Sequence, residues 1–285
     1  MIQIFTAGIL WGFIGIFVKG LASLGADGAL TSFLRMFSAF VIMLVFALFR
    51  HGRKIIIHDF RTVLFCALLG IICNGLFNIF YTSSIKINGM GIACVLMYTA
   101  PIFTAAASRL IFHERFTALK IFALALNITG CILTVTGGDF SGSNISLTGI
   151  LAGLGSGFGY GMAAVFGRLA GERADSITVS VYSYFFAFIF LVIFMKPDVN
   201  FAFSDARIMG LGFLYGLIPT ALAYLVYYNA LKVIHDTSKV PVIASVEPVT
   251  AVLIGTMIYN ESIGAANLIG VAVVLISIII MAKEK

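Results

Sequence analysis

Ala100 to Glu114 reads APIFTAAASRLIFHE, and Glu247 to Glu261, 147 positions on, reads EPVTAVLIGTMIYNE. Each stretch has Pro in second place and Glu at its end, with mostly apolar residues between. The same shift of 147, without a gap, lays Gly8 on Gly155, Gly12 on Gly159, Gly20 on Gly167 and Tyr81 on Tyr228. A register that holds along the whole chain marks an internal duplication. The first copy is read over 1–137, an external linker over 138–146 and the second copy over 147–285.

What each copy contains follows from composition. Hydrophobic residues make up 61% of the 285 and charged residues 11%, against about 25% charged in soluble domains. So few charges cannot coat a water-soluble surface, which excludes a soluble enzyme, a disordered chain and a nucleic-acid binder. A bilayer core takes about 20 apolar residues per helix. On that ruler the chain divides into ten spans, near 3–20, 28–49, 62–82, 90–111, 117–137, 147–168, 177–195, 208–229, 238–259 and 263–282. Membrane β-strands would instead be segments of about ten residues with alternating polarity. The expected fold is an all-α integral membrane protein of ten transmembrane helices. Five spans per copy is an odd number, so the second copy enters the membrane upside down. Two inverted five-helix repeats place a pseudo-two-fold axis in the membrane plane.

With the N-terminus inside, alternate loops divide Lys and Arg thirteen to four, leaving Arg35 within a span. The positive-inside rule then predicts a multi-pass protein of the cell membrane with both termini cytoplasmic. Met1 to Lys19 lacks a basic leader and a cleavage site, and reads as a retained first span. Cys66, Cys73, Cys94 and Cys131 lie in apolar runs without CxxC spacing, as packing residues do. No cofactor or metal site is expected.

Polar groups inside hydrocarbon are costly and mark function or helix bracing. Glu247 falls near the centre of its span, where a carboxylate must be protonated, paired or open to water. It is a candidate for a substrate cation or a coupling proton, and alternatively a packing brace. Arg35 could clamp a carboxylate or phosphate, snorkel outward, or brace neighbouring helices. Asn74, Asn78 and Thr82, at i, i+4 and i+8, share one helix face and either line a pathway or join helices. Trp11, Tyr98, Tyr215 and Tyr224 could form aromatic walls with polar tips, or simply pack. Ser245, beside Glu247, completes the candidate substrate-binding set. Pro101, Pro219 and Pro248 each remove a ladder hydrogen bond near the midplane and are candidate hinges or fixed kinks. Gly153, Gly157 and Gly161 repeat every fourth residue, as Gly8 and Gly12 do, which suits close helix contact.

Several of these stretches resemble a known family. Ala7 to Lys19 (AGILWGFIGIFVK), Ser32 to Ala39 (SFLRMFSA), Phe80-Tyr81, Ala100-Pro101 and Glu114-Arg115 resemble one EamA-type repeat of the drug/metabolite transporter superfamily. Tyr227 to Lys232, with Glu247-Pro248 through Glu261, resembles the end of a second. The resemblance implies ten helices in two inverted repeats and a secondary transporter. Relatives carry amino acids, sugars, nucleotides, amines and drugs. The second copy has Phe158 in place of Trp11 and Tyr182 in place of Arg35, so the two half-sites are unequal. The expected function is alternating-access transport of a small organic metabolite, amino-acid-like or an amine. The alternatives are a carrier for a nucleoside, sugar, carboxylate or drug, and an integral-membrane enzyme, which the lack of HExxH, GxSxG and paired midplane carboxylates disfavours. Expected partners are the small-molecule substrate, membrane lipid and a candidate coupling proton, with monomer and homodimer both open.

Overall fold

The computed structural model describes residues 1–139, 146–260 and 263–284. Glu261, Lys285 and most of the linker lie outside them, as do the side chains of Arg53 and Lys54. Among the described residues ten helices are long and apolar enough to cross a bilayer: spans 1 (Ile2–Ser23), 2 (Gly28–His51), 3 (Phe60–Asn88), 4 (Met90–Phe112), 5 (Ala118–Thr136), 6 (Leu147–Gly171), 7 (Ser176–Met195), 8 (Ala206–Leu231), 9 (Thr237–Tyr259) and 10 (Ala265–Lys283). No strand occurs among them.

The polar residues between apolar runs set where the helices begin. Asp27, Asp59, Asp175 and Asp205 precede spans 2, 3, 7 and 8, and their carboxylates accept from first-turn N–H groups. Those donors have no partner within the helix. Spans 4 and 9 end alike, on left-handed residues His113 (φ 57°) and Asn260 (φ 51°), which occupy equivalent places in the two copies.

Packing obeys the same two-fold relation. Span 5 lies along span 10 and span 2 along span 7, each pair being one helix and its equivalent. The contacts of span 3 with spans 6 and 7 are mirrored by those of span 8 with spans 1 and 2, and the contact of span 4 with span 6 by that of span 9 with span 1. The principal contacts of each copy are therefore with the other copy. Glycine permits the closest of them. A Cβ on Gly8 would come within 2.5 Å of the Ala244 carbonyl oxygen, and one on Gly157 within 2.7 Å of that of Leu96. The glycine faces of spans 1 and 6 thus receive the backbones of spans 9 and 4 where those two helices are interrupted.

Candidate functional site

Spans 4 and 9 are each broken near the middle, at equivalent residues. Tyr98 and Thr99 separate Met90–Met97 from Ala100–Phe112, and Ser245 separates Val240–Ala244 from Val246–Tyr259. Pro101 and Pro248 open the second halves, within a first turn that needs no N–H from them. Each proline ring would collide with the carbonyl four residues back, of Met97 and Ala244, if the helix ran through. The two prolines therefore start new helices, where the sequence suggested bonds missing from continuous ones. Glu247 stands in the first turn of Val246–Tyr259, where unpaired N–H groups and the helix dipole favour a carboxylate. The equivalent residue in the first copy is Ala100, so only one half-helix carries an ionisable group there.

A cluster of aromatic rings reaches this carboxylate through Tyr160. Tyr160 donates its hydroxyl to Glu247 Oε2 at 2.6 Å. The Trp11 ring lies 6.1 Å from that of Tyr160, 5.1 Å from Tyr224 and 5.1 Å from Tyr227, between centroids. Tyr224 and Tyr227 share a face of span 8 at i, i+3, and Phe77 approaches Tyr160 at 5.9 Å from span 3. The Trp11 indole N–H is buried and has no hydrogen-bond partner among the described residues. Trp11, Tyr160, Tyr224 and Tyr227 are largely buried or half-buried, while Glu247 keeps part of its surface exposed. A carboxylate beside aromatic faces is a combination that attracts cations, since ring quadrupole and charge act with the same sign. Trp11 and Tyr224 were legible as candidates; Tyr160 and Tyr227 were not. Tyr160 sat among the glycines of span 6, whose pattern spoke only of packing.

Arg35 belongs to an adjoining network. Pro219 lies in a wide π-turn, Leu217–Leu222, and has no N–H to offer the Tyr215 carbonyl. The Thr220 hydroxyl donates to that carbonyl at 2.9 Å and accepts from Arg35 Nε at 3.1 Å. Tyr184 donates to the Thr220 carbonyl at 3.2 Å. The Arg35 guanidinium sits 5.4 Å from the centre of the Tyr215 ring and is only 6% exposed. No ion pair joins Arg35 to Glu247 among the described residues. Arg35 thus braces the π-turn of span 8 through Thr220.

The other candidates are placed differently. Span 3 has its own π-turn, Leu69–Leu76, at the position equivalent to that of span 8. Asn74 donates to the Leu69 carbonyl at 3.0 Å and so closes that turn, while Asn78 accepts from Ser32 of span 2 at 3.2 Å. Ser245 accepts from Asn127, which also donates to Ser277 at 3.0 Å, so spans 5, 9 and 10 meet at one buried amide. Tyr98 is buried in the cluster that holds Cys94, Cys131, Val246 and Val249. All four cysteines are free and buried.

The end that carries both termini is tied by charges. Glu114 accepts from Arg168 at 3.0 Å and from the N–H groups of Thr237 and Ser238 at 2.7 and 3.1 Å. Asp236 pairs with Lys120, and Glu284 with Lys239 at 3.0 Å. Burial raises the Asp236 carboxyl, but bonds from Lys120 and Ser238 outweigh it and leave the group below its ordinary range. The equivalent of Lys120 is Asn267, which among the described residues bonds backbone: it donates to the Thr134 carbonyl and accepts from the Gly264 N–H, both at 3.0 Å.

Ten spans in two copies, broken and widened at equivalent residues, match a known sequence pattern twice over. The EamA-like transporter family model fits residues 1–136 and again 147–283. The chain belongs to the EamA-like transporter family. It is 27% identical, over 99% of its length and 95% of the relative's, to an uncharacterized transporter of Archaeoglobus fulgidus. It is 22% identical to the uncharacterized inner membrane transporter YicL of Salmonella typhimurium, over 100% of this chain and 95% of that one. To YedA of Escherichia coli, likewise an uncharacterized inner membrane transporter, it is 26% identical over 88% and 80% of the two chains. A crystal structure with 15% sequence identity superposes with a TM-score of 0.81 over 99% of this chain and 97% of the other, which establishes the shared fold. The protein is a multi-pass membrane protein of a transporter family, and its relatives point to transport rather than catalysis.

Proposed function

We propose that this chain is a secondary transporter that moves a small organic metabolite bearing a protonated amine, amino-acid-like or a simple amine, across the cytoplasmic membrane by alternating access. The observation that carries this reading is Glu247: a carboxylate on a half-buried residue at a helix break, held at 2.6 Å by the hydroxyl of Tyr160, whose ring belongs to a cluster with Trp11, Tyr224 and Tyr227. An ammonium group would take the free carboxylate oxygen and the ring faces together. An acceptor on the substrate would satisfy the Trp11 indole N–H, which has no partner among the described residues. Arg35, nearly buried and bonded to Thr220, is better suited to setting the shape of span 8 than to clamping a substrate carboxylate. The geometry therefore favours amine recognition over recognition of a nucleoside, sugar or carboxylate.

The breaks at Pro101 and Pro248 and the π-turn at Pro219 supply the hinges. Between them the copies over 1–137 and 147–285 rock about the carboxylate, with the thirteen-to-four division of basic residues placing both termini in the cytoplasm. The test is uptake of a labelled protonated amine into proteoliposomes. Wild type carries it and Glu247→Gln, inserted normally, does not; equal uptake by both rejects this site.

A further inference from the structure

At the end of the molecule that carries both termini, spans 2, 7 and 8 enclose a pocket of about 300 Å³. Arg50, His51 and Lys232 line it together with Ser176 and Asn229, over apolar ground provided by Phe46, Ile177 and Leu225. Asp175 also borders it, but that carboxylate is engaged at the start of span 7, accepting from the N–H groups of Ile177 and Thr178 at 3.0 and 3.1 Å and from the Thr178 hydroxyl. His51 Nε2, 3.5 Å away, faces the same carboxylate. The Arg50 and Lys232 side chains have neither a hydrogen bond nor an ion pair among the described residues. Two cations, neither paired with a side chain among the described residues, therefore converge on one concavity against the single carboxylate of Asp175. A neighbouring pocket of about 530 Å³ lacks this imbalance, because its Arg173 pairs with Asp59 at 3.4 Å.

The apolar ground distinguishes a lipid from a free anion. Phe46 is 43% exposed and Phe49, on the same span, 88% exposed. Span 2 thus presents apolar rings outward beside Arg50 in its last turns, where a helix that spans a bilayer passes from hydrocarbon to headgroups. A phosphate diester fixed to acyl chains meets both features at once: its oxygens reach the guanidinium and ammonium, and its chains cover Phe46 and Phe49. We propose that this pocket is a specific site for the headgroup of an anionic phospholipid, held by Arg50 and Lys232.

The test is thermal unfolding of the full-length protein in neutral detergent, titrated with phosphatidylglycerol, phosphatidylcholine or inorganic phosphate. Phosphatidylglycerol is expected to raise the unfolding midpoint by mass action, with phosphatidylcholine and inorganic phosphate giving little at equal concentration. A basic residue near a membrane surface contributes about fivefold in affinity for anionic lipid, so Arg50→Gln/Lys232→Gln should weaken the phosphatidylglycerol response by more than about tenfold. Arg61→Gln/Arg115→Gln, which removes the same charge from exposed positions outside the pocket, should leave it intact. Should the double pocket variant fail to fold, Lys232→Gln alone gives the same reading with about a fivefold loss. An equal response to inorganic phosphate would make the site one for a free anion and overturn the proposal. An equal response to phosphatidylcholine, or one that the pocket variants leave unchanged, would overturn it too.

Discussion

Glu247 joins three features whose coincidence is informative: a break in span 9, a hydroxyl donor on span 6 and, behind that donor, a cluster of rings from spans 1 and 8. Glu247→Gln keeps volume and most hydrogen-bonding capacity but removes the charge. The variant should insert and unfold like wild type and lose most transport, whereas Glu114→Gln, whose parent pairs with Arg168 at 3.0 Å, should mainly lower stability. Trp11→Leu removes the largest ring, and a cation held over that face should bind about fivefold to thirtyfold more weakly, read as a rise in KM for uptake. An unchanged KM would leave Trp11 as packing. Glu247, Trp11 and Tyr224 of this candidate site were legible in the sequence, because a carboxylate or an indole in an apolar span stands out by type. Tyr160 and Thr220 were not, because a tyrosine among glycines and a threonine after a proline announce nothing until neighbouring helices bring their partners.

The span ends in the sequence and the structure differ by a few residues, since hydropathy and the helix-breaking loops both register there. The interruptions inside spans were harder to see, because an apolar run looks the same whether its bonds are regular, widened or broken. Prolines marked three of the four sites; the π-turn of span 3 has none and was invisible. Pro101→Ala and Pro248→Ala should allow each helix to close across its break, slowing turnover more than they weaken binding. Unchanged turnover in both would make the breaks fixed features. Thr220→Val leaves the Tyr215 carbonyl and Arg35 Nε without their partner, at a cost of about 1–3 kcal/mol, and Thr220→Ser should restore most of it. Thermal unfolding of the two variants distinguishes this bonded role from simple packing, which would rank them the other way.

Across the whole molecule the two copies are held by contacts with each other, and the end that carries the termini is tied by ion pairs at Lys120 and Lys239, while Asn267, the equivalent of Lys120, bonds backbone among the described residues. Asp236 and Asp175 both titrate below their ordinary range in the folded protein, so they contribute stability above the unfolded carboxylate pKa of about 4. That stability is lost as pH falls through their depressed values, and unfolding midpoints should drop below about pH 4. Asp236→Asn should be less stable at neutral pH and show a shallower acid limb. The duplication and the five spans per copy were readable from one register of matched residues; the interlocking of the copies was not, because sequence spacing carries no information on which helix packs on which. A reporter after Lys285 should read cytoplasmic and one near Ser143 external. The most direct measurement is amine exchange in proteoliposomes, with unlabelled amine inside and labelled amine outside. Alternating access around Glu247 predicts that wild type accelerates entry of label when the inside is loaded and that Glu247→Gln abolishes the acceleration. Entry indifferent to internal amine, or unchanged in the variant, would contradict the account.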